Sequence, residues 1–465
     1  MNFSLYAAKD FSTFNEYLAA VLACLLAFLT GMHAGWTSPF IPKLLSSKDY
    51  PFHITSEEAS YIAIFGPIGD LFGAILSMLL VDRMGRKNTL VILGTPMLFS
   101  SLLIYFSYLS PVLLYIARFC GGISFGTVST IITMYTSEIS RPAIRGKLGV
   151  ILMLLYTPGT MAVNVIGKYF SMYETAIFSA LVTILFLCTF SLMPETPYYL
   201  LMKGKTRMAE KSLCFFRRTQ NVEEELKKLI LVVQRQLSES RRFQDIFLID
   251  YNRKAFILMM FGRIFQQTCG AMAFLMYAQY LLAESSDFIQ PQFAVVVIYF
   301  VQTCVTPLSG YSSDRYGRIP LLMFSCAGCS LCLLMLGGYF SLKDFQSLSL
   351  PISCPVFILG FFYIAYQIGL GSLMLVMLGE LFSASIKPKA IALVNIMYAL
   401  AVIITTKIYQ VTTDYWHPSI APYFFALCTI SAAFSINKYF PETKGKSLEE
   451  IQFELKGNKK TATHN

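Results

Sequence analysis

The chain reads VDRMGRK at residues 81–87 and SDRYGRI at 313–319. Each stretch closes one long apolar run and opens the next, so D-R-x-G-R marks two tight turns at matching places. Gly85 and Gly317 permit the reversal. Asp82 and Asp314 are placed to pair with Arg86 and Arg318, or to face a neighbouring helix N-terminus. Two further pairs repeat in step: EISRPAIRG (138–146) with ELFSASIKPK (380–389), and PETPYYL (194–200) with PETKGKS (441–447). Three matched pairs describe a duplicated unit. Two related halves in a membrane are the mark of a transporter that rocks about a site between them.

Composition fixes the solvent. The 465 residues are 55% hydrophobic and 14% charged, against roughly 25% charged in soluble domains. Apolar runs close to the ~20 residues that cross a bilayer recur along the whole chain. Twelve spans are expected, near 17–40, 57–80, 88–108, 111–137, 147–170, 173–193, 254–283, 291–313, 319–340, 351–382, 388–412 and 417–440. The predicted fold class is an all-α membrane protein with twelve transmembrane helices in two six-helix halves. The first half occupies 1–193 and the second 254–440. A cytoplasmic helical linker joins them over 194–253, with helices at 205–218 and 222–236, and a cytoplasmic tail covers 441–465. In the linker, Glu223 and Glu224 precede Lys227 and Lys228 at the i, i+4 spacing that supports an exposed helix.

Lysine and arginine favour cytoplasmic loops. Of 37 such residues, Lys43, Lys48, Lys168 and Lys343 fall on one side and Arg118, Arg263 and Lys407 within spans; the rest share the side of the termini. Both ends are therefore expected in the cytoplasm, and the net charge of +10 reads as topology rather than nucleic-acid binding. The first run continues into a multi-span pattern, unlike a cleaved signal peptide. The eleven cysteines have no framework spacing and read as small hydrophobes. No metal cluster, phosphate loop or Ser/His/Asp set appears; His33, His53, His417 and His464 are scattered. Catalysis, cofactors and metals are not expected.

The duplicated motifs supply candidate gates: Asp82 with Arg86, Asp314 with Arg318, and across helix ends Glu138 with Arg145 and Glu380 with Lys387. Two charges stand inside spans, Asp70 and Arg118, and such residues are functional hypotheses by default. Counting ~1.5 Å per residue, Asp70 sits roughly 18 Å above Asp82 and Arg118 about 30 Å above Glu138, a ~12 Å mismatch against a direct bond. His33 reads as a packing residue. Gln266 and Gln267 stand in an apolar run, where an unpaired amide costs roughly 2–7 kcal/mol, so they either serve helix packing or meet a polar ligand.

Over nearly its whole length the chain resembles the sugar-porter branch of the major facilitator superfamily, near insect facilitated trehalose and glucose transporters. The resemblance rests on DRMGRK (82–87), ARF (117–119) with Gly121, Gly122 and Gly126, YTSEI (135–139), RGKLG (145–149), PETP (194–197), QQxxG (266–270), DRYGR (314–318), GELF (379–382) and PETKGKSLEE (441–450). It implies alternating access around a midplane sugar, in a plasma-membrane protein whose partners are a small sugar and the bilayer. By motif position it implies sugar contacts at Gln266, Gln267, Gln302 and Gln367, amides that both donate and accept.

Several of the family's sugar-holding positions differ. An expected glutamine is Met153, an asparagine is Met272, and an asparagine–tryptophan pair aligns with Tyr398 and Ala399. The site is expected to be wider, more apolar and poorer in hydrogen bonds. The first-span acid of proton-coupled relatives is Thr37 here, which favours facilitated uniport of trehalose or a hexose. Two alternatives stand beside it: proton symport through Asp70, and a non-transporting sugar sensor.

Overall fold

The computed structural model describes residues 13–46, 50–141, 144–238, 243–283, 290–343, 353–382, 386–446 and 448–455, and every element among them is a helix. The first half comprises α1 (Phe14–Gly35), α2 (Thr37–Ser46), α3 (Ser56–Met84), α4 (Arg86–Tyr105), α5 (Val112–Ile139), α6 (Arg145–Tyr169) and α7 (Met172–Phe190). Short helices follow: α8 (Pro197–Met202), α9 (Thr206–Arg217), α10 (Glu223–Ser238) and α11 (Asp245–Leu248). The second half holds α12 (Asp250–Thr268), α13 (Ala271–Met276), α14 (Ala278–Ala283), α15 (Pro291–Tyr316), α16 (Arg318–Lys343), α17 (Cys354–Ile368), α18 (Leu373–Leu381), α19 (Lys387–Tyr415) and α20 (Ile420–Tyr439). A final α21 (Leu448–Leu455) lies in the tail.

Local chemistry starts these helices where the sequence breaks its apolar runs. Thr55 accepts from Glu58 N while the Glu58 carboxylate takes the Thr55 N–H, and Ser171 with Glu174 repeats the device at α7. Each box satisfies two backbone donors that lipid cannot. Among the described residues eleven spans are long and apolar enough to cross a membrane, against twelve expected. The shortfall is the run at 254–283. There α12 carries Arg253, Lys254, Arg263, Gln266 and Gln267, and the helix breaks at Gly270, whose φ is +80°. The run at 351–382 is also interrupted, between α17 and α18 at Gly369–Ser372.

Within the first half α3 and α5 touch backbone to backbone. A Cβ on Gly122 would lie 2.0 Å from the Gly66 carbonyl oxygen, and one on Gly126 2.1 Å from that of Asp70. Small residues let membrane helices approach this closely, which is where their association energy comes from. Between halves, α19 packs on α3 and α15 on α6.

The two halves share one apolar core, but only away from the D-R-x-G-R turns. Met32, Trp36, Phe40, Leu114 and Val163 of the first half join Phe274, Tyr299, Phe362 and Phe425 of the second. Toward the turn-bearing face the first half keeps a separate core of Leu29, Leu90, Ile131, Tyr135, Phe186 and neighbours. Among the described residues four side-chain bonds bridge the halves on the far side: Ser56 to Asp414, Lys407 Nζ to Ser60 Oγ (3.0 Å), Lys168 Nζ to Gln290 Oε1 (3.0 Å) and Gln279 Nε2 to Asn164 Oδ1 (3.0 Å).

The short helices α8, α9 and α10 dock on the first half. Glu16 is fully buried and meets Arg217 at 2.8 Å and Arg141 at 3.1 Å. Asn15 Nδ2 donates to Phe215 O (2.6 Å), and Ser212 Oγ to Glu195 O (2.6 Å). In α10 it is Glu225 that forms the ion pair, with Arg217 at 2.7 Å, rather than the expected Glu223 and Glu224 with Lys227 and Lys228. Exposed i, i+4 pairs gain little in water, whereas the Arg217 fork is already fixed by Glu16.

Candidate functional site

The amide-bearing helix α12 faces the centre of the bundle. Gln266 is buried and held on three sides. Its Oε1 accepts from Arg263 Nη1 (2.5 Å), and its Nε2 donates to Tyr366 Oη and Gly371 O (both 3.4 Å). Gln267 differs: it has no exposed surface, and its polar neighbour is the Tyr398 hydroxyl, with no close, well-aligned hydrogen bond among the described residues. Gln302 Nε2 donates to Gln367 Oε1 (3.0 Å), and Gln367 Nε2 to Thr306 Oγ1 (3.1 Å). Arg263 organises this layer, although the sequence drew no role for it. Its guanidinium lies 3.9 Å from the Tyr398 ring centroid and donates to Asn395 Oδ1 (3.3 Å). Asn395 Nδ2 in turn donates to Thr130 Oγ1 of the other half (3.1 Å).

Beside this layer a cavity opens between the halves, with ≈ 300 Å³ of empty space counting its mouth. Only ≈ 20 Å³ of this is room for water-sized molecules, so the cavity is narrow between its two walls. The first half lines it with His33, Ala34, Gly66, Pro67, Asp70, Arg118 and Phe125, and the second with Met272, Met276, Tyr398 and Val402. Met272 and Tyr398 thus stand on the wall. The four glutamines lie outside the lining, and Met153 packs against the first half's own core. Arg118 is 1% exposed, donates from Nε to Ile62 O (3.4 Å) and from Nη1 to both His33 O and His33 Nδ1 (3.0 Å for the ring), and stacks 5.7 Å from Trp36. Asp70 shares the cavity with Arg118 without touching it, as their depths require. Among the described residues no donor reaches the Asp70 carboxylate, which is 5% exposed. His33, read from sequence as packing, is a cavity residue.

On the turn-bearing face the duplicated motifs build duplicated clamps. Gly85 and Gly317 adopt φ of +95° and +94°, the conformation that only glycine takes without strain. Arg86 reaches Glu138 at 2.9 Å, and Arg318 reaches Glu380 at 2.9 Å. Two of the expected partners, Asp82 and Lys387, are secondary. Asp82 stands 3.9 Å from Arg86 and is half exposed. Lys387 Nζ donates to Gly379 O (2.6 Å) while Glu380 takes Arg318. The reason is geometric: each arginine begins the next helix and reaches across to an acid on a neighbouring one, while Arg318 Nη1 also donates back to Ser313 O (3.2 Å). The side chains of Arg145 and Asp314 lie outside the described part of the structure.

Two acids that the sequence quoted within repeats, without assigning them roles, complete the clamps. Glu195 accepts from Arg86 N and Lys87 N (3.1 Å each), and Glu442 accepts from Arg318 N (3.0 Å) and Ile319 N (2.9 Å). Each carboxylate sits on the positive end of the helix that follows the turn. Burial pushes the Glu442 carboxyl up, but the N–H groups of Arg318, Ile319, Lys444 and Thr443 outweigh it and hold it below the usual glutamate range. The repeated P-E-T position was the signal for both.

Two pseudo-equivalent clamps, a shared core on one face and a cavity between the halves define a membrane transporter of the major facilitator fold. Residues 19–455 match the model of the sugar (and other) transporter family, and the chain belongs to it. It is 29% identical over 453 residues to the facilitated trehalose transporter Tret1-2 homolog of Drosophila sechellia, covering 96% of this chain and 92% of that one. It is 29% identical over 450 residues to the facilitated trehalose transporter Tret1 of Bombyx mori, covering 95% and 86%. Among solved structures it resembles the partially occluded inward open xylose transporter XylE of E. coli, with a TM-score of 0.79 at 21% identity over 94% of this chain and 100% of that one. The proton:xylose symporter XylE bound to 6-bromo-6-deoxy-D-glucose gives 0.77 at 20%, over 96% and 99%.

Proposed function

We propose that this protein moves a sugar, trehalose or a hexose, down its gradient by rocking its halves (1–193 and 254–440) about the central cavity. The observation that carries this reading is the cavity itself, placed between two repeats that share a core on one side only. Relatives named as facilitated trehalose transporters support the cargo class. With both termini in the cytoplasm of a plasma-membrane protein, the shared core closes the outer face and the clamps face inward. The Arg86–Glu138 and Arg318–Glu380 pairs, remade and broken, are the inner gate. Gln267, loosely held beside the cavity residue Tyr398, is the amide most ready for a hydroxyl; Gln266, Gln302 and Gln367 reach one by exchanging present partners. Proteoliposomes preloaded with sugar should show saturable counterflow with no ion gradient. Absence of counterflow across hexoses, disaccharides and polyols would refute the reading.

A second reading, proton symport, is favoured by one feature: the unpartnered Asp70 carboxylate on the cavity wall. An imposed pH gradient that drives accumulation, and loses its effect in Asp70→Asn, would select it over uniport.

A further inference from the structure

The polar half of the cavity wall has a chemistry that selects its ligand. Arg118 Nη1 lies 3.0 Å from His33 Nδ1. A guanidinium only donates, so Nδ1 must accept, and the ring proton is fixed on Nε2. That Nε2 is buried without a partner among the described residues. Arg118 spends Nε and Nη1 on Ile62 and His33. Its Nη2 makes no bond among the described residues and lies beside Gly66, a lining residue; a Cβ there would come within 3.1 Å of it. Asp70, across the same wall, feels the charge of Arg263 but has no hydrogen-bond donor among the described residues. The opposite wall is Met272, Met276, Val402 and the face of Tyr398.

The wall therefore offers two idle donors and one idle carboxylate on one side, and apolar surface on the other. A cation satisfies Asp70 but is repelled by Arg118, and by Arg263 beneath Tyr398; an anion meets the reverse. A neutral group that donates and accepts at once suits both, and a pair of adjacent hydroxyls can give two hydrogen bonds to a single carboxylate. The C–H face of such a ligand then rests on Tyr398 and the two methionines.

We propose that Asp70, His33 and Arg118 form the polyol-recognition site on the first half, with Asp70 accepting from one of two adjacent hydroxyls and His33 Nε2 donating to the oxygen of its neighbour. This rests on the reading that the cargo is a sugar, and it moves the principal polar contacts from the amides of α12 to the wall formed by α1, α3 and α5.

The test is counterflow competition by a set of monodeoxy sugars, on wild type and Asp70→Asn at matched pH on both sides. Wild type should lose roughly 10–100-fold in apparent affinity when the hydroxyl facing Asp70 is removed, the size of a hydrogen bond to a charged group. Asp70→Asn should bind the parent sugar that much more weakly and no longer distinguish it from that one deoxy analogue, while keeping the other ratios. Unchanged ratios throughout would overturn the proposal. So would full exchange in Asp70→Asn with loss only of pH-driven uptake, since the carboxylate would then carry a proton. Wild type that exchanges no sugar would sink the sugar reading itself, an outcome separate from either. If Asp70→Asn is not monodisperse in detergent, His33→Gln decides in the same assay, by losing discrimination at one hydroxyl or keeping it.

Discussion

Replacing Arg86 with alanine should strand a buried carboxylate. Arg86 is 2% exposed and its partner Glu138 14%. Two guanidinium nitrogens, Nε and Nη2, lie 2.9 Å from Glu138 Oε1. Without them Glu138 keeps Thr196 Oγ1 at 2.6 Å as its remaining described donor. Breaking a buried pair from one side costs about 3–5 kcal/mol, mostly the penalty of the charge left behind. Arg86→Ala should therefore lower the unfolding free energy by about that much in denaturant titration of the protein in mixed micelles. Glu138→Gln added to it removes the stranded charge, and the double variant should recover about half the loss or more. The four-protein cycle then gives a coupling well above the ~0.5 kcal/mol of independent sites. Additive losses within that margin would show that the clamp is not a unit, and the inner-gate reasoning would fall with it.

Gly126→Val should drive a side chain into the Asp70 carbonyl and separate α3 from α5, lowering the thermal midpoint by an amount matching about 1–3 kcal/mol or more. Gly146→Ala, where a Cβ meets nothing within 4 Å, is the neutral control. Gly270→Ala should cost about 1–2 kcal/mol for the left-handed backbone alone, with added displacement of Phe425, whose ring lies 2.4 Å from the new Cβ; an unchanged midpoint would mean the break in the seventh crossing is not required. Glu442, held below the usual glutamate range, adds stability only above its unfolded pKa of about 4.3, and that share fades as pH falls through the lower folded value. Glu442→Gln should thus be less stable at neutral pH and show a shallower acid slope in unfolding measured from pH 3 to 6.

Much of the architecture was legible because lipid leaves few choices. Backbone groups in hydrocarbon must bond within the helix, so the long apolar runs announced the spans, and D-R-x-G-R announced the duplication. The seventh crossing, expected at 254–283, is the one that forms no single long apolar helix: Arg263 and the two glutamines dilute its apolar content, and it breaks at Gly270. Pairings were harder. Spacing along one helix pointed Asp82 at Arg86 and Glu380 at Lys387, but which helix lies beside a turn is a tertiary fact, and Glu138 and Glu380 came from there. His33 was the largest surprise. A lone histidine in a span carries no signal of its own, and only the approach of Arg118 fixes its proton and turns it toward the cavity.

The attachment of the accessory helices divides the chain more sharply than its length does. Everything up to α10 is fastened to the first half, through Glu16, Arg217 and Asn15. From α11 onward the fastenings are to the second: Asn252 holds Asp245 O at 3.1 Å, and Lys254 binds Leu455 O in the tail at 2.9 Å. Each half thus carries its own accessory helices, and their union in one chain raises the effective concentration of one half for the other. Two genes divided between α10 and α11 should yield fragments that find each other in the membrane through the shared core and restore a working whole, each arriving with its own clamp.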